Sequence, residues 1–105
     1  MRAALYIDCG SIKVEDIPYI YEEIRKTDDL VISKMFGVEM KDASEIAGRL
    51  RIRNNLHCGG DRTSALVALA VEVMADAIDE DVQKTYIATG DLAVLPLLDK
   101  LKLMR

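Results

Sequence analysis

Short apolar runs alternate with segments of helical periodicity along this chain. The first run covers residues 3–7 and ends in the sequence Asp-Cys-Gly-Ser. A short, continuously apolar segment closed by small and polar residues is typical of a central strand in a parallel sheet. The runs at residues 30–36 and 85–88 predict two more strands, and we expect a further short strand at Leu56.

Helical periodicity fills the intervals between these strands. Apolar residues recur every three or four positions from Ile17 to Ile24, and Pro18 fits the first turn of a helix there. Capping residues and apolar stripes predict three further helices, over about residues 42–53, 63–78 and 96–104. The alternation of strands and helices predicts an α/β fold with a parallel sheet of about four strands.

Length and composition limit the class of protein. A chain of 105 residues predicts a single domain, residues 1–105, and the net charge of −4 argues against a broadly basic nucleic-acid surface but not against a local basic patch. Two cysteines predict a reduced, cytoplasmic protein and not a disulfide scaffold. We expect no membrane segment, because the longest apolar run, Ala65–Val71, is much shorter than a bilayer-spanning helix, and no signal peptide is visible.

Two acidic residues, Asp8 and Asp91, directly follow predicted strands or the turns after them. If those strands are neighbours, the carboxylates meet at the carboxyl edge of the sheet, where parallel sheets bind ligands. Glu72 interrupts the apolar middle of the third helix, which is a costly place for a charge without a partner. Three converging carboxylates would hold a divalent cation such as Mg²⁺. Alternatively, Asp91 is an ordinary turn residue, Asp8 is a common strand-end residue, and Glu72 pairs with Arg62 or another base.

Three segments carry a recognisable order of residues. They are Ile7-Asp8-Cys9-Gly10-Ser11, the helical segment Leu66–Met74, and Thr89-Gly90-Asp91-Leu92-Ala93-Val94-Leu95-Pro96-Leu97. In their order, their spacing and the proline, these segments resemble the signatures of the NYN domains, which are relatives of the PIN-domain nucleases. The resemblance spans nearly the whole chain, and the third segment is the most specific.

The resemblance implies a three-layer α/β sandwich and metal-dependent cleavage of RNA by an acidic cluster. By position it makes Asp8, Glu72 and Asp91 the catalytic and metal-binding residues, with Mg²⁺ or Mn²⁺ as the cofactor. The sequence departs from the family pattern at Leu66 and Ala93, where the family has acids, and leucine or alanine cannot hold an ion.

Two functions therefore stay open. The first is a divalent-metal-dependent endoribonuclease with a reduced carboxylate site. The second is a catalytically inactive domain that binds RNA or a protein partner, including a second copy of itself in a homodimer. Family members often continue past the last helix into an edge strand. Without that strand we expect an exposed sheet edge, and a homodimer is one way to cover such an edge.

Basic residues concentrate at the end of the second predicted helix, where Arg49, Arg51 and Arg53 lie close together in the sequence. We predict RNA contacts for Arg51, Arg53, Arg62 and Ser11, because such side chains bind phosphate oxygens. The alternative is a solvated helix end that the helix dipole favours. Cys9 adjoins Asp8, and the neighbouring carboxylate would raise the thiol pKa and work against a reactive thiol.

Overall fold

The computed structural model describes residues 1–37, 41–55, 62–78, 82–90 and 96–97, except for the side chains of residues 41–44 and 53–55. Strands and helices alternate through these residues, so the predicted α/β class is confirmed. The elements are β1 (Arg2–Asp8), a 3₁₀ turn (Val14–Asp16), α1 (Ile17–Arg25), β2 (Asp29–Phe36), α2 (Lys41–Leu50), β3 (Arg53–Asn55), α3 (Arg62–Ala77) and β4 (Lys84–Ala88).

The strands form one parallel sheet in the order β3-β2-β1-β4. The chain moves outward from β1 through β2 to β3, and α3 then returns it to the other side of β1, where β4 pairs. In this register Ile7 lies between Met35 of β2 and Ala88 of β4. The strand order therefore reverses at β1, and such reversals open a crevice at the carboxyl ends of the strands.

Both faces of β1 are covered, which explains its uninterrupted apolar sequence. Successive side chains of a strand point to opposite faces. Leu5 packs on one face with Ile17 of α1 and Ala47 of α2, whereas Tyr6 packs on the other face with Leu69 of α3. The helices thus lie on two sides of the sheet, and the apolar area that they bury is the main stabilising contribution.

α2 ends at Leu50, three residues before the end that the sequence predicts. Arg51 has a φ of 60°, in the left-handed region. Its N–H donates to the carbonyl of Gly48 at 3.4 Å, and the N–H of Ile52 donates to the carbonyl of Ala47 at 2.8 Å. This pair of bonds is the Schellman cap, which stops a helix and satisfies its last carbonyls. The chain then enters β3 directly after the buried Ile52.

Two other predicted elements lie wholly or mostly outside the described residues. The strand expected at Leu56 lies outside the described residues, and β3 occupies Arg53–Asn55 directly before it. The last predicted helix also lies outside them, apart from residues 96–97, which are helical. In the part of the chain that the structure describes, no helix has the length and apolar character to cross a bilayer.

Candidate functional site

The carboxyl end of β1 carries the carboxylate of Asp8, which is only 1% exposed. The backbone N–H groups of Ser11 and Ile12 donate to the Asp8 carbonyl, each at 3.1 Å, and form a tight turn after the strand. β4 pairs with β1, so Thr89 and Gly90, which follow β4, lie beside this turn. Asp8 therefore lies at the reversal of strand order, the place where α/β sheets bind ligands.

Five hydrogen bonds from the described residues converge on the Asp8 carboxylate. Oδ1 accepts one from the backbone N–H of Gly10 at 3.0 Å and one from Nη1 of Arg62 at 3.3 Å. Oδ2 accepts bonds from the Ser11 hydroxyl at 2.9 Å, the Thr89 hydroxyl at 2.7 Å and Nη2 of Arg62 at 2.9 Å. A carboxylate has about four lone-pair sites, so both oxygens are fully engaged.

These hydrogen bonds determine the charge of Asp8. Burial is the largest single influence and raises the pKa, because it penalises the charged form. The hydrogen bonds from Thr89, Arg62, Ser11 and Gly10 together outweigh burial and lower the pKa below its usual value of 3.8. Asp8 is therefore an ionised carboxylate at neutral pH, buried and paired with a guanidinium.

Arg62 is the first residue of α3, and its side chain is 40% exposed. A cation is disfavoured at a helix N-terminus, so its place there is consistent with a specific acidic partner. The guanidinium also needs room beside the β1 turn: a Cβ built on Gly10 would overlap Nη1 of Arg62. Glycine at position 10 therefore permits the pair, which joins the start of α3 to the end of β1.

Ser11 connects the turn after β1 to the two residues that follow β4. Besides donating to Asp8, its hydroxyl oxygen accepts a hydrogen bond from the N–H of Gly90 at 2.9 Å and lies 3.3 Å from the Thr89 hydroxyl. Ser11 was predicted to contact RNA, and in this arrangement it holds the two strand ends together.

Glu72 lies in a second charged cluster, between α3 and the sheet. Its carboxylate is 3.4 Å from Nζ of Lys34, a buried lysine of β2. The same Nζ is 2.8 Å from Oδ2 of Asp76, which also accepts a hydrogen bond from the Tyr6 hydroxyl at 2.8 Å. Glu72 is thus paired with a base, as the alternative interpretation of the sequence allows, although the base is Lys34 and not Arg62.

The remaining candidate residues are spread over the molecule. Arg51 follows α2 and lines a groove beside Asp29, the first residue of β2, at the opposite edge of the sheet from Asp8 and Arg62. Arg53 begins β3, but its side chain is not among those described. Asp91 and Ala93 lie outside the described residues, whereas Leu66 is partly buried in α3.

A divalent cation at the Asp8 carboxylate would compete with the hydrogen bonds from the described residues. Mg²⁺ binds oxygen ligands and usually takes one or two carboxylates with several waters. Within the described ranges, no three acidic, histidine or cysteine side chains lie close enough together to share a metal ion. Both oxygens of Asp8 already accept hydrogen bonds, so a cation would have to displace the Arg62 guanidinium.

The partners of Asp8 do not follow from the sequence alone. Arg62 was interpreted as a phosphate contact or a partner of Glu72, and Thr89 only as part of a turn. The sequence does contain a signal for an acidic partner of Arg62. A basic residue at the start of an apolar helix opposes the helix dipole and implies a nearby acid. The sequence distance of 54 residues between Asp8 and Arg62 hides which acid it is.

Comparisons of this chain with protein-family models, with curated proteins and with solved structures find no match.

Proposed function

We propose that this chain is a NYN/PIN-like three-layer α/β domain that binds RNA without cleaving it. The proposal draws its fold family and its ligand from the resemblance of the three sequence segments around Asp8, Glu72 and Gly90. The parallel sheet, with helices on two sides and a strand reversal at β1, is compatible with that family.

The observation that carries the absence of cleavage is the bidentate pair of Asp8 and Arg62. Metal-dependent hydrolysis needs carboxylates that are free to ligate an ion, which then activates water and stabilises the phosphate. Here Asp8 is paired with a guanidinium of the same chain, and Glu72 shares the ammonium group of Lys34 with Asp76. Together with Leu66 and Ala93, these pairs favour the inactive RNA-binding domain over the endoribonuclease that uses Mg²⁺ or Mn²⁺.

One experiment separates the two functions. Purified protein is mixed with a fluorescently labelled single-stranded RNA in EDTA, in Mg²⁺ and in Mn²⁺, and both anisotropy and RNA integrity are measured. We expect saturable binding with the same Kd in all three buffers, and intact RNA. Cleavage that requires Mn²⁺ and disappears in Asp8→Asn would identify a ribonuclease instead. Absence of RNA binding in every buffer would contradict the proposal as a whole.

A second candidate, a homodimer, is favoured by an apolar stripe on α3. Val67 and Val71 are 58% and 61% exposed, and Ile78, just beyond the helix end, is 75% exposed. Because they are spaced at i, i+4 and i+11, the three lie along one side of the helix. A two-fold axis would place the stripe against the same stripe of a second copy.

Sedimentation velocity over a range of concentrations tests this dimer. We expect a concentration-dependent dimer that Val71→Lys abolishes. The matched control is Tyr19→Lys, which adds the same charge at a 70% exposed position on α1 and leaves the dimer intact. A monomer at every concentration would eliminate this candidate.

A further inference from the structure

A groove of about 880 Å³ opens between the C-terminal ends of α1 and α2. Tyr21 and Arg25 line it from α1, Arg49 and Arg51 line it from the end of α2, and Asp29 lies at the start of β2. Since β2 begins here, the groove lies at the amino-terminal edge of the sheet, at the opposite end from Asp8.

The acids of this groove are largely engaged with other groups. Glu22 lies 3.7 Å from the guanidinium of Arg25. Asp28 accepts a hydrogen bond from the Tyr86 hydroxyl at 2.5 Å, and its side chain is 5% exposed. The pKa of Asp28 is lowered, chiefly by that Tyr86 hydrogen bond and further by the charge of Lys84.

Two arginines of the groove have no ion-pair partner among the described residues. In the described part of the chain, Arg49 and Arg51 form no ion pair, and both are exposed. Asp29 is the acid of the groove that likewise lacks a basic partner there. Among the described residues, the groove therefore has two guanidinium groups and one carboxylate without an ion-pair partner.

The backbone of Arg51 is the independent observation that points to a ligand. A basic residue in the last turn of a helix, such as Arg49, is explained by the helix dipole. Arg51 lies beyond the helix with a φ of 60°, at the position of the Schellman cap where glycine is favoured. An exposed arginine there strains the backbone, and such strain is concentrated at binding sites.

The aromatic side of the groove supplies a flat surface. Cζ of Arg25 lies over the ring of Tyr21, 5.5 Å from its centroid. Stacked aromatic and guanidinium groups receive the bases of single-stranded nucleic acids, whatever the base. Arginine also binds phosphate through two parallel hydrogen bonds. A chain of phosphates and bases matches both features, whereas an acidic peptide matches only the arginines.

We propose that this groove binds single-stranded RNA, with Arg49 and Arg51 on phosphates and a base stacked against Tyr21 and Arg25. The inference rests on the proposed function and adds the location of the RNA-binding site, which is the amino-terminal edge of the sheet, away from Asp8. Ser11 and Arg62, which hold the other edge together, are then structural.

The test compares single-charge variants in RNA binding, measured by anisotropy over a series of salt concentrations. Arg49→Gln and Arg51→Gly each remove one groove charge. Because Arg51→Gly also removes the backbone strain, a loss of RNA binding in that variant cannot be attributed to unfolding. The matched control is Lys13→Gln, an exposed lysine before the 3₁₀ turn. We expect each groove variant to raise the Kd about tenfold and to lower the salt slope by about 0.7, and the control to change neither.

The outcomes distinguish this inference from the function on which it rests. If wild type binds RNA and both groove variants bind equally well, the location is wrong and RNA binding stands. If wild type binds no RNA, both proposals fail. A fluorescent polyglutamate peptide is titrated in parallel: if it binds wild type in place of RNA and loses affinity in the groove variants, the partner is an acidic protein, and the assignment to RNA is overturned.

Discussion

The Arg62 guanidinium and the Asp8 carboxylate form a bidentate pair, with Nη2 2.9 Å from Oδ2 and Nη1 3.3 Å from Oδ1. The acid is almost completely buried, and the base is partly exposed. A buried carboxylate requires a counter-ion and hydrogen-bond donors, and here the chain supplies both. The pair therefore has a structural consequence, because it fixes the start of α3 against the end of the central strand.

We predict that Asp8→Asn lowers the free energy of unfolding by about 2 kcal/mol, because the amide leaves Arg62 without its anion and turns an NH₂ group toward donors. The partial exposure of Arg62 keeps the loss below that of a fully buried pair. Urea denaturation measures the effect. Asp16→Asn, at an exposed position before α1, is the control and is expected to stay within about 0.5 kcal/mol of wild type. A gain in stability for Asp8→Asn would instead indicate a cluster of mutually repelling carboxylates.

The direct coupling between the two residues can be measured by a double-mutant cycle. Arg62→Met keeps much of the apolar stem and removes the guanidinium. We expect the double variant Asp8→Asn/Arg62→Met to be more stable than the sum of the single losses by about 1–2 kcal/mol, as for residues in direct contact. Additive losses would mean that the two side chains act independently in solution and that the pair does not hold α3.

The charged cluster beneath α3 makes a separate prediction. Lys34→Met leaves Glu72 and Asp76 without their cation, and we expect a loss of about 2–3 kcal/mol. Glu72→Gln is the matched comparison: it preserves the 2.8 Å contact of Lys34 with Asp76 and should cost less than about 1 kcal/mol. Thermal unfolding of both variants measures the difference. Equal losses would indicate that Glu72, and not Asp76, is the main partner of the lysine.

Local patterns predicted three strands (β1, β2 and β4) and three helices (α1 to α3) of this fold, but not the position of β3 or the pairing between distant side chains. The apolar run before Asp8 was enough to predict a central parallel strand, because a strand covered on both faces has no polar face. The carboxylate partners depend on strand order, which places Thr89 and Arg62 beside Asp8 only after β4 returns to β1. The predicted end of α2 was wrong by three residues, because nothing in the sequence marks Arg51 as left-handed. Glycine is the usual signal for that conformation.

The thiol of Cys9 is predicted to be unreactive. Burial, and then the charge of Asp8, raise its pKa from 9.0 to about 11, so at pH 8 about one thiol in a thousand is ionised. In a Cys58→Ser background, iodoacetamide should label folded Cys9 about a hundredfold more slowly than the urea-unfolded chain. Because the folded pKa is the higher one, the protonated thiol stabilises the fold below pH 9, and this contribution is lost as the pH rises from 9 to 11. Rapid labelling of the folded protein at pH 8 would contradict the burial of this side chain.

The left-handed backbone of Arg51 predicts that replacing this residue with glycine stabilises the fold and weakens RNA binding. An L side chain costs about 1–2 kcal/mol in this conformation, and the larger backbone entropy of glycine offsets part of that, so Arg51→Gly should gain about 0.5–1 kcal/mol. Arg51→Ala removes the same charge and keeps the Cβ, so its stability should remain near that of wild type. Chemical denaturation and RNA anisotropy, applied to both variants, separate the two effects. We expect only glycine to stabilise the fold, and both variants to weaken RNA binding equally, because binding depends on the guanidinium and the strain depends on the Cβ. If alanine stabilises as much as glycine, the positive φ of Arg51 is not the source of the cost.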